Sequence, residues 1–132
     1  MREIKFRGRK KYGKWLVGDL VQRNDRIAIR PFDDYSMPFG YKVDPQTVGQ
    51  FTGFKDAQGQ ELYEGDLLLV KQIYDVDEPD EEEYRVIWGM DEGAWLIVRE
   101  RDGDFAEYLT KETGKAFVAV EDKKAVRGIE NE

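Results

Sequence analysis

The chain has 132 residues, a net charge of −7, and neither cysteine nor histidine. These absences exclude disulfides, thiol catalysis, Cys-ligated metals and any mechanism in which histidine is the general base. The length fits one ordinary globular domain, and we predict a single domain over residues 1–132.

Nothing in the sequence predicts an association with a membrane. No apolar run approaches the ~20 residues that a membrane helix needs. The first residues lead into an alternating pattern rather than the long apolar core of a signal peptide. We therefore expect a cytoplasmic protein that needs no cofactor.

Positive charge is concentrated at the start of the chain. Residues 1–14 hold seven lysines and arginines against Glu3, a local net charge of +6, so the remaining residues carry −13. The plainer interpretation is a solvated basic hairpin on an acidic protein. The alternative is a contact surface for phosphates or for an acidic partner.

The first third of the chain predicts three short strands. Ile4–Phe6 alternates apolar and charged residues, which is typical of a half-buried strand. After a polar turn, Trp15–Val21 forms the return strand, and we expect a β-bulge at Gly18 because the alternation slips there. A second turn leads to the strand Ile27–Ile29.

Residues 32–46 predict an irregular loop that is rich in aromatic residues. Pro31 and Pro38 interrupt any continuous strand through it. We interpret this segment as a loop folded back over the open end of a barrel. The alternative is a sticky surface for a base, a peptide or a protein partner.

The stretch from Val43 to Val70 predicts a strand, a tight turn, a corner and a second strand. At the turn, Asp56 can accept backbone hydrogen bonds and Gly59 can take a positive φ. At the corner, Gly65 permits a sharp redirection and Asp66 can satisfy nearby N–H groups. This structural motif is defined by Gly49, Gly53, Asp56, Gly59, Gly65 and Asp66.

An acidic segment and a hairpin follow. Residues 75–83 begin with the spacing of a calcium loop, but Pro79 stands where a ligand is needed, so we predict a solvated loop. Two apolar runs around Met90–Gly93 predict a β-hairpin over Tyr84–Val98.

The last third predicts a turn, a helix and two strands. Asp102-Gly103 is a tight-turn pair. Phe105, Tyr108 and Leu109 have helical spacing, which predicts one short helix that ends at Gly114. The closing strands are expected at Phe117–Val120 and Ala125–Ile129.

Short strands separated by turns predict an all-β fold. We expect a small barrel or sandwich of short antiparallel strands with at most one short helix. The order of strand, Gly-Asp corner, acidic loop and hairpin suggests SH3-like barrel elements in the C-terminal two-thirds.

The central motif also carries a resemblance to a known family. The run from Thr47 to Gly53, with Lys55-Asp56, Gly59 and Tyr63–Asp66, resembles the signature of the YopX family. The opening Arg2–Arg7, the Lys14-Trp15 pair with Gly18, and the closing Val126–Glu130 fit the same family. The resemblance implies a small protein of phages or prophages and supplies no catalytic residue.

Binding without catalysis is the function that we expect. A protein partner or self-association is favoured, because the charge of −7 opposes unspecific attraction to phosphates. Binding of nucleic acid through the basic start is the alternative. The candidate binding surface consists of Arg9, Lys10, Lys11 and Trp15, together with Glu81, Glu82 and Glu83.

An enzyme is the second class of function. It would use carboxylates such as Asp66 with Glu64 or Asp56, which would hold Mg²⁺ or act as acid and base. We favour a structural role for Asp66, because a Gly-Asp corner already needs its carboxylate. A purely structural, self-pairing role through an exposed sheet edge is a third alternative.

Overall fold

The computed structural model of the protein describes residues 3–71 and 82–121. Within these ranges the chain forms two compact units, one up to Phe51 and the other from Thr52 onward. The predicted strand at Ala125–Ile129 and the acidic segment as far as Glu81 lie outside the described residues.

An antiparallel sheet forms the first unit. Its strands are β1 (Phe6–Arg9), β2 (Trp15–Arg23), β3 (Arg26–Pro31), β4 (Tyr41–Lys42) and the first part of β5 (Gly49–Lys55). They lie side by side in the order β4-β3-β2-β1-β5. Buried Ile29 and Val43 lie against Gly8 on one face of this sheet, where an added Cβ on the glycine would meet Val43 at 2.9 Å.

The β-bulge predicted at Gly18 is wrong. Gly18 pairs with Phe6 on β1 and with Pro31 on β3, and neither register shifts at this position. A Cβ on Gly18 would lie 2.0 Å from the carbonyl oxygen of Arg30. The glycine therefore marks a close approach of two backbones rather than an extra residue in the strand.

The second unit contains the other strands and the helix. They are the rest of β5, β6 (Glu61–Tyr63), β7 (Leu67–Val70), β8 (Glu83–Gly89), β9 (Ala94–Arg99), β10 (Phe105–Tyr108), α1 (Lys111–Gly114) and β11 (Phe117–Val120). β6 pairs with β5, and a five-stranded sheet has the order β10-β9-β8-β7-β11.

The core of the second unit is apolar and comes from segments far apart in sequence. Its buried members are Leu62, Leu68, Val86, Trp95, Ile97, Leu109 and Phe117. Each such side chain stabilises the fold by about 1.5–3 kcal/mol when fully buried. The predicted hairpin is confirmed, because β8 and β9 pair in register from Tyr84↔Arg99 to Gly89↔Ala94.

The helix lies later than its predicted position. Phe105–Tyr108 is strand β10, whose register on β9 shifts between Phe105 and Glu107. This irregularity breaks the two-residue alternation and leaves the aromatic residues three apart, which imitates a helical period. The helix itself begins after Thr110, whose side chain accepts from the Thr113 N–H in a capping box.

The predicted class is confirmed, since the described residues form mainly antiparallel β-structure in two sheets with one short α-helix. The described residues form no closed barrel. Among the same residues, no helix is long and apolar enough to cross a membrane.

Candidate binding surface on the basic hairpin

Strands β1 and β2, with the turn between them, form the basic hairpin, which we define as residues 6–17. The strands pair from Phe6↔Gly18 to Arg9↔Trp15. In the turn, the Gly13 N–H donates to the Lys10 carbonyl at 2.8 Å, and the Arg9 side chain donates to the Gly13 carbonyl at 3.0 Å. Tyr12 takes a positive φ of 59° at the tip.

One face of the hairpin combines cations with exposed apolar surface. Cross-strand pairing puts Arg7 and Arg9 on the same face as Trp15 and Val17. The Arg7 guanidinium lies 4.8 Å from the Trp15 ring centroid, a cation–π contact. Trp15 and Val17 remain 45% and 41% exposed, so this face offers both charge and apolar area to a partner.

The turn extends this surface with two lysines. Lys11 lies 5.5 Å from the ring of Tyr12, which is 62% exposed. Lys10 lies 4.8 Å from the ring of Tyr41 on β4. An aromatic ring therefore contacts each ammonium group and restricts the lysine side chain before binding. Because the side chains are already restricted, binding a partner costs less conformational entropy.

Arg9 has a larger structural part than the two lysines. Its backbone N–H donates to the Thr47 hydroxyl at 2.8 Å, and its carbonyl accepts from the Asp44 N–H at 2.9 Å. These bonds attach β1 to the 3₁₀ turn Pro45–Thr47, which Asp44 caps through the Gln46 N–H. A substitution at Arg9 would keep these backbone bonds and remove the side-chain bond to the Gly13 carbonyl, which closes the hairpin turn.

Two acidic residues of the predicted surface, Glu82 and Glu83, belong to the second unit. Glu81 lies outside the described residues. Glu82 forms an ion pair with Arg101 at 3.0 Å, and Glu83 is an exposed residue at the start of β8. The charge of Glu82 is thus partly balanced by Arg101 within the same unit.

The Asp56 carboxylate in the central motif binds backbone groups. Its Oδ1 atom accepts from the N–H groups of Gln58 and Gln60 at 2.8 and 2.9 Å, and its Oδ2 atom accepts from Ala119 at 3.0 Å. Gly59 closes this turn with a φ of +81°. The predicted turn chemistry of Asp56 and Gly59 is therefore present.

The corner of the motif is built in the same way. Asp66 Oδ2 accepts from the Tyr63 N–H at 2.7 Å, and the Gly65 φ is +91°. Gly53 also takes a positive φ, whereas Gly49 is a buried residue of β5 paired with Arg7. Across residues 3–71 and 82–121, no group of three or more Asp and Glu is placed to hold a metal ion.

A comparison with protein-family models matches residues 5–119 to the YopX protein model. The chain belongs to the YopX family. The matched range includes both the basic hairpin and the central motif, so the resemblance seen in the sequence is confirmed. A search of curated proteins returned no match.

The aromatic loop of this YopX family member was predicted from the sequence, but the exposure of its rings and their contacts with arginine were not. Phe32, Tyr35 and Phe39 are 46%, 87% and 55% exposed. This exposure favours the sticky-surface alternative over a cap on a barrel. The Arg23 guanidinium lies 4.1 Å from the Phe39 ring, a pairing across 16 positions for which the sequence has no local signal.

The loop also contains a hydrogen-bonded carboxylate. Asp34 accepts from the hydroxyls of Ser36 and Tyr41, both at 2.5 Å. The hydrogen bond from the Ser36 hydroxyl has the largest effect and that from the Tyr41 hydroxyl the next largest, and both hold the pKa of Asp34 below its ordinary value of 3.8. The same contact with Asp34 raises the pKa of Tyr41 above 10.0. Asp34 thereby links the start of the loop to β4.

Proposed function

We propose that this protein acts by binding an acidic segment of a partner protein through the basic hairpin, without catalysis. The observation that carries the proposal is the face on which the Arg7 guanidinium lies over the exposed Trp15 ring beside Val17. Aromatic and arginine side chains are enriched where protein partners make their strongest contacts. The phage or prophage setting and the cytoplasmic location that the sequence suggests are part of this proposal.

Charge supports an acidic partner. Residues 1–51 hold eleven Lys and Arg against six Asp and Glu, whereas residues 52–121 hold seven against nineteen. The first unit is therefore a cationic part of an anionic protein. Such a surface raises the rate of encounter with an acidic partner, and this effect weakens as salt is added.

A charge-reversal pair tests the proposal. Lys10 and Lys11 are exposed and belong to no described strand, so Lys10→Glu with Lys11→Glu should leave the fold intact. Lys111→Glu with Lys115→Glu changes the net charge by the same amount and is the matched control, because Lys111 in α1 and Lys115 directly after it are both exposed. The probe is a fluorescent peptide of glutamates with one leucine, measured by anisotropy at two salt concentrations.

We expect the hairpin variant to bind the peptide at least about tenfold more weakly, which corresponds to ~1.4 kcal/mol, and the control to bind as the parent does. Trp15→Ala should also weaken binding, because it removes the stacked apolar area. Equal losses in hairpin variant and control would show a response to total charge alone. Loss of a captured partner only after neutralising Glu81, Glu82 and Glu83 would move the function to the acidic segment.

Single-stranded nucleic acid is the second candidate. Among residues 3–51, five cation–aromatic contacts are found, and the combination of cations with aromatic platforms is how single strands are held. Binding of a labelled oligothymidine that falls steeply with salt and depends on Lys10 and Lys11 would favour it.

We expect no tight binding of duplex DNA at physiological salt, and no cleavage of DNA or RNA with Mg²⁺ or Mn²⁺.

A further inference from the structure

A groove of about 650 Å³ lies in the first unit, at the end of β2. One wall is the β2–β3 turn, Arg23–Arg26, and the other is the segment Met37–Gly40, with Lys42 beside it. This volume falls in the range of small-molecule sites, about 300–1,000 Å³. None of these residues belongs to the basic hairpin.

The Met37–Gly40 wall of the groove is fixed by hydrogen bonds to its backbone. Arg26 donates two hydrogen bonds, to the carbonyls of Phe39 and Gly40, each at 2.8 Å. The Gly40 N–H donates to the Met37 carbonyl at 2.9 Å. Gly40 has a φ of +74°, and a Cβ there would lie 2.7 Å from the Ile29 carbonyl oxygen. The segment is therefore held in place before any ligand arrives.

The lining combines positive charge with an exposed ring. Arg23, Arg26 and Lys42 face a single acidic lining residue, Asp25. The Arg23 guanidinium lies 4.1 Å from the centroid of Phe39, which is 55% exposed. Within the part of the chain that the structure describes, Arg23 and Lys42 make no ion pair, so their charged donors are available to an anion.

These features together select a ligand class. A guanidinium held close over a ring keeps N–H groups free to donate to a phosphate, which arginine can bind in a bidentate manner. Lys42 adds a second cation. Phe39 and Met37 supply an apolar surface on which a flat ring can stack. A simple inorganic anion would contact the two cations and leave the apolar surface of Phe39 and Met37 uncovered.

We propose that this groove binds a nucleoside phosphate, with the phosphate at Arg23 and Lys42 and the base against Phe39 and Met37. The site lies beyond the proposed protein-binding surface and does not depend on it. The same chemistry is offered by a free nucleotide and by the phosphorylated 5′ end of a nucleic acid strand. The probes below separate these two sources.

The test compares the complete ligand with its two parts, the phosphate and the nucleoside. The full-length protein, labelled with ¹⁵N, is titrated with AMP, inorganic phosphate, adenosine and a 5′-phosphorylated dinucleotide, and amide shifts are followed by NMR. We expect saturable shifts confined to residues 23–26 and 37–42. AMP should bind at least about tenfold more tightly than either half-ligand, because both halves of the groove are then occupied.

Variants assign the two halves. Arg23→Gln and Lys42→Gln should weaken AMP and phosphate alike. Phe39→Leu should weaken AMP more than phosphate, because the base loses its stacking surface and Arg23 loses only its supporting ring. Lys111→Gln on α1 is the control and should change neither. Each parent side chain is exposed, and unchanged amide spectra away from the groove will show that the variants are folded.

Three results would overturn the proposal. They are the absence of saturable AMP binding, equal affinity for AMP and inorganic phosphate, and a loss of affinity in Lys111→Gln that equals the loss in Arg23→Gln. Tighter binding of the dinucleotide than of AMP would support the site and identify a strand end as the source. A failure of peptide binding at the hairpin would leave these outcomes unaffected.

Discussion

The Asp56 carboxylate offers the sharpest test of the fold, because one buried side chain satisfies three backbone donors. Two of them belong to its own turn, and the third is the N–H of Ala119, 63 positions away on β11. Asp56 is only 4% exposed, so water cannot replace these bonds without opening the structure. The side chain therefore connects the central motif to the last described strand.

We expect Asp56→Asn to lower the free energy of unfolding by about 3 kcal/mol. An asparagine oxygen can keep the bonds to Gln58 and Gln60, but as neutral bonds of roughly half the strength. Its amide N–H would then face the Ala119 N–H, and the loss of that charge-assisted bond costs about 2 kcal/mol. Asp56→Ala removes all three acceptors and should cost about 5 kcal/mol.

Urea unfolding followed by circular dichroism measures this loss. With an m-value of about 2 kcal/mol per molar urea, the Asp56→Asn midpoint should fall by about 1.5 M. Asp91→Asn is the matched control, because Asp91 is exposed in the β8–β9 turn. Hydrogen exchange at the Ala119 amide should accelerate in the Asp56 variant. A parent-like midpoint, within about 0.3 M, would refute this account of the carboxylate.

Three further outcomes can be measured. Gly18→Ala should unfold at lower temperature by several degrees, because its methyl group would collide with the Arg30 carbonyl. Gly65→Val should cost at least about 1 kcal/mol in urea, because a β-branched residue is strained at a φ of +91°. NMR titration should place the pKa of Asp34 below 3.8, so its bonds to Ser36 and Tyr41 contribute stability above about pH 4 that is lost as the pH falls through the lowered value. A normal Asp34 pKa would contradict the hydrogen-bonded loop.

Sequence reasoning succeeded where the chemistry is local. The Asp56–Gly59 turn and the Gly65-Asp66 corner each combine a side-chain acceptor with a glycine a few residues away, so their conformation can be inferred from neighbours in the chain. The hairpin over Tyr84–Val98 was predictable for a similar reason, because two apolar runs flank one short turn.

The errors arose where a distant strand decides the geometry. Gly18 interrupts an apolar pattern, and only the position of Arg30 on β3 shows that the missing side chain admits a backbone rather than a bulge. The irregular register near Glu107 depends on β9 and gave β10 the appearance of a helix. Composition indicated the cations of the basic hairpin, but not which aromatic rings would support them.

The groove was not predictable from the chain for the same physical reason. Arg23 and Phe39 are brought together because Arg26 binds the carbonyls of Phe39 and Gly40, a closure that no short motif encodes. The aromatic loop was recognised as unusual, but its arginine partners lie on the preceding turn.

The uneven distribution of charge makes this protein a block polyampholyte, with a net charge of +5 over residues 1–51 and −12 over residues 52–121. In dilute buffer, the cationic block of one molecule attracts the anionic block of another, even though both molecules carry −7 overall. Salt screens this attraction, with a reach of about 8 Å at physiological ionic strength. Solubility should therefore rise with added sodium chloride, a salting-in behaviour that the net charge alone does not suggest.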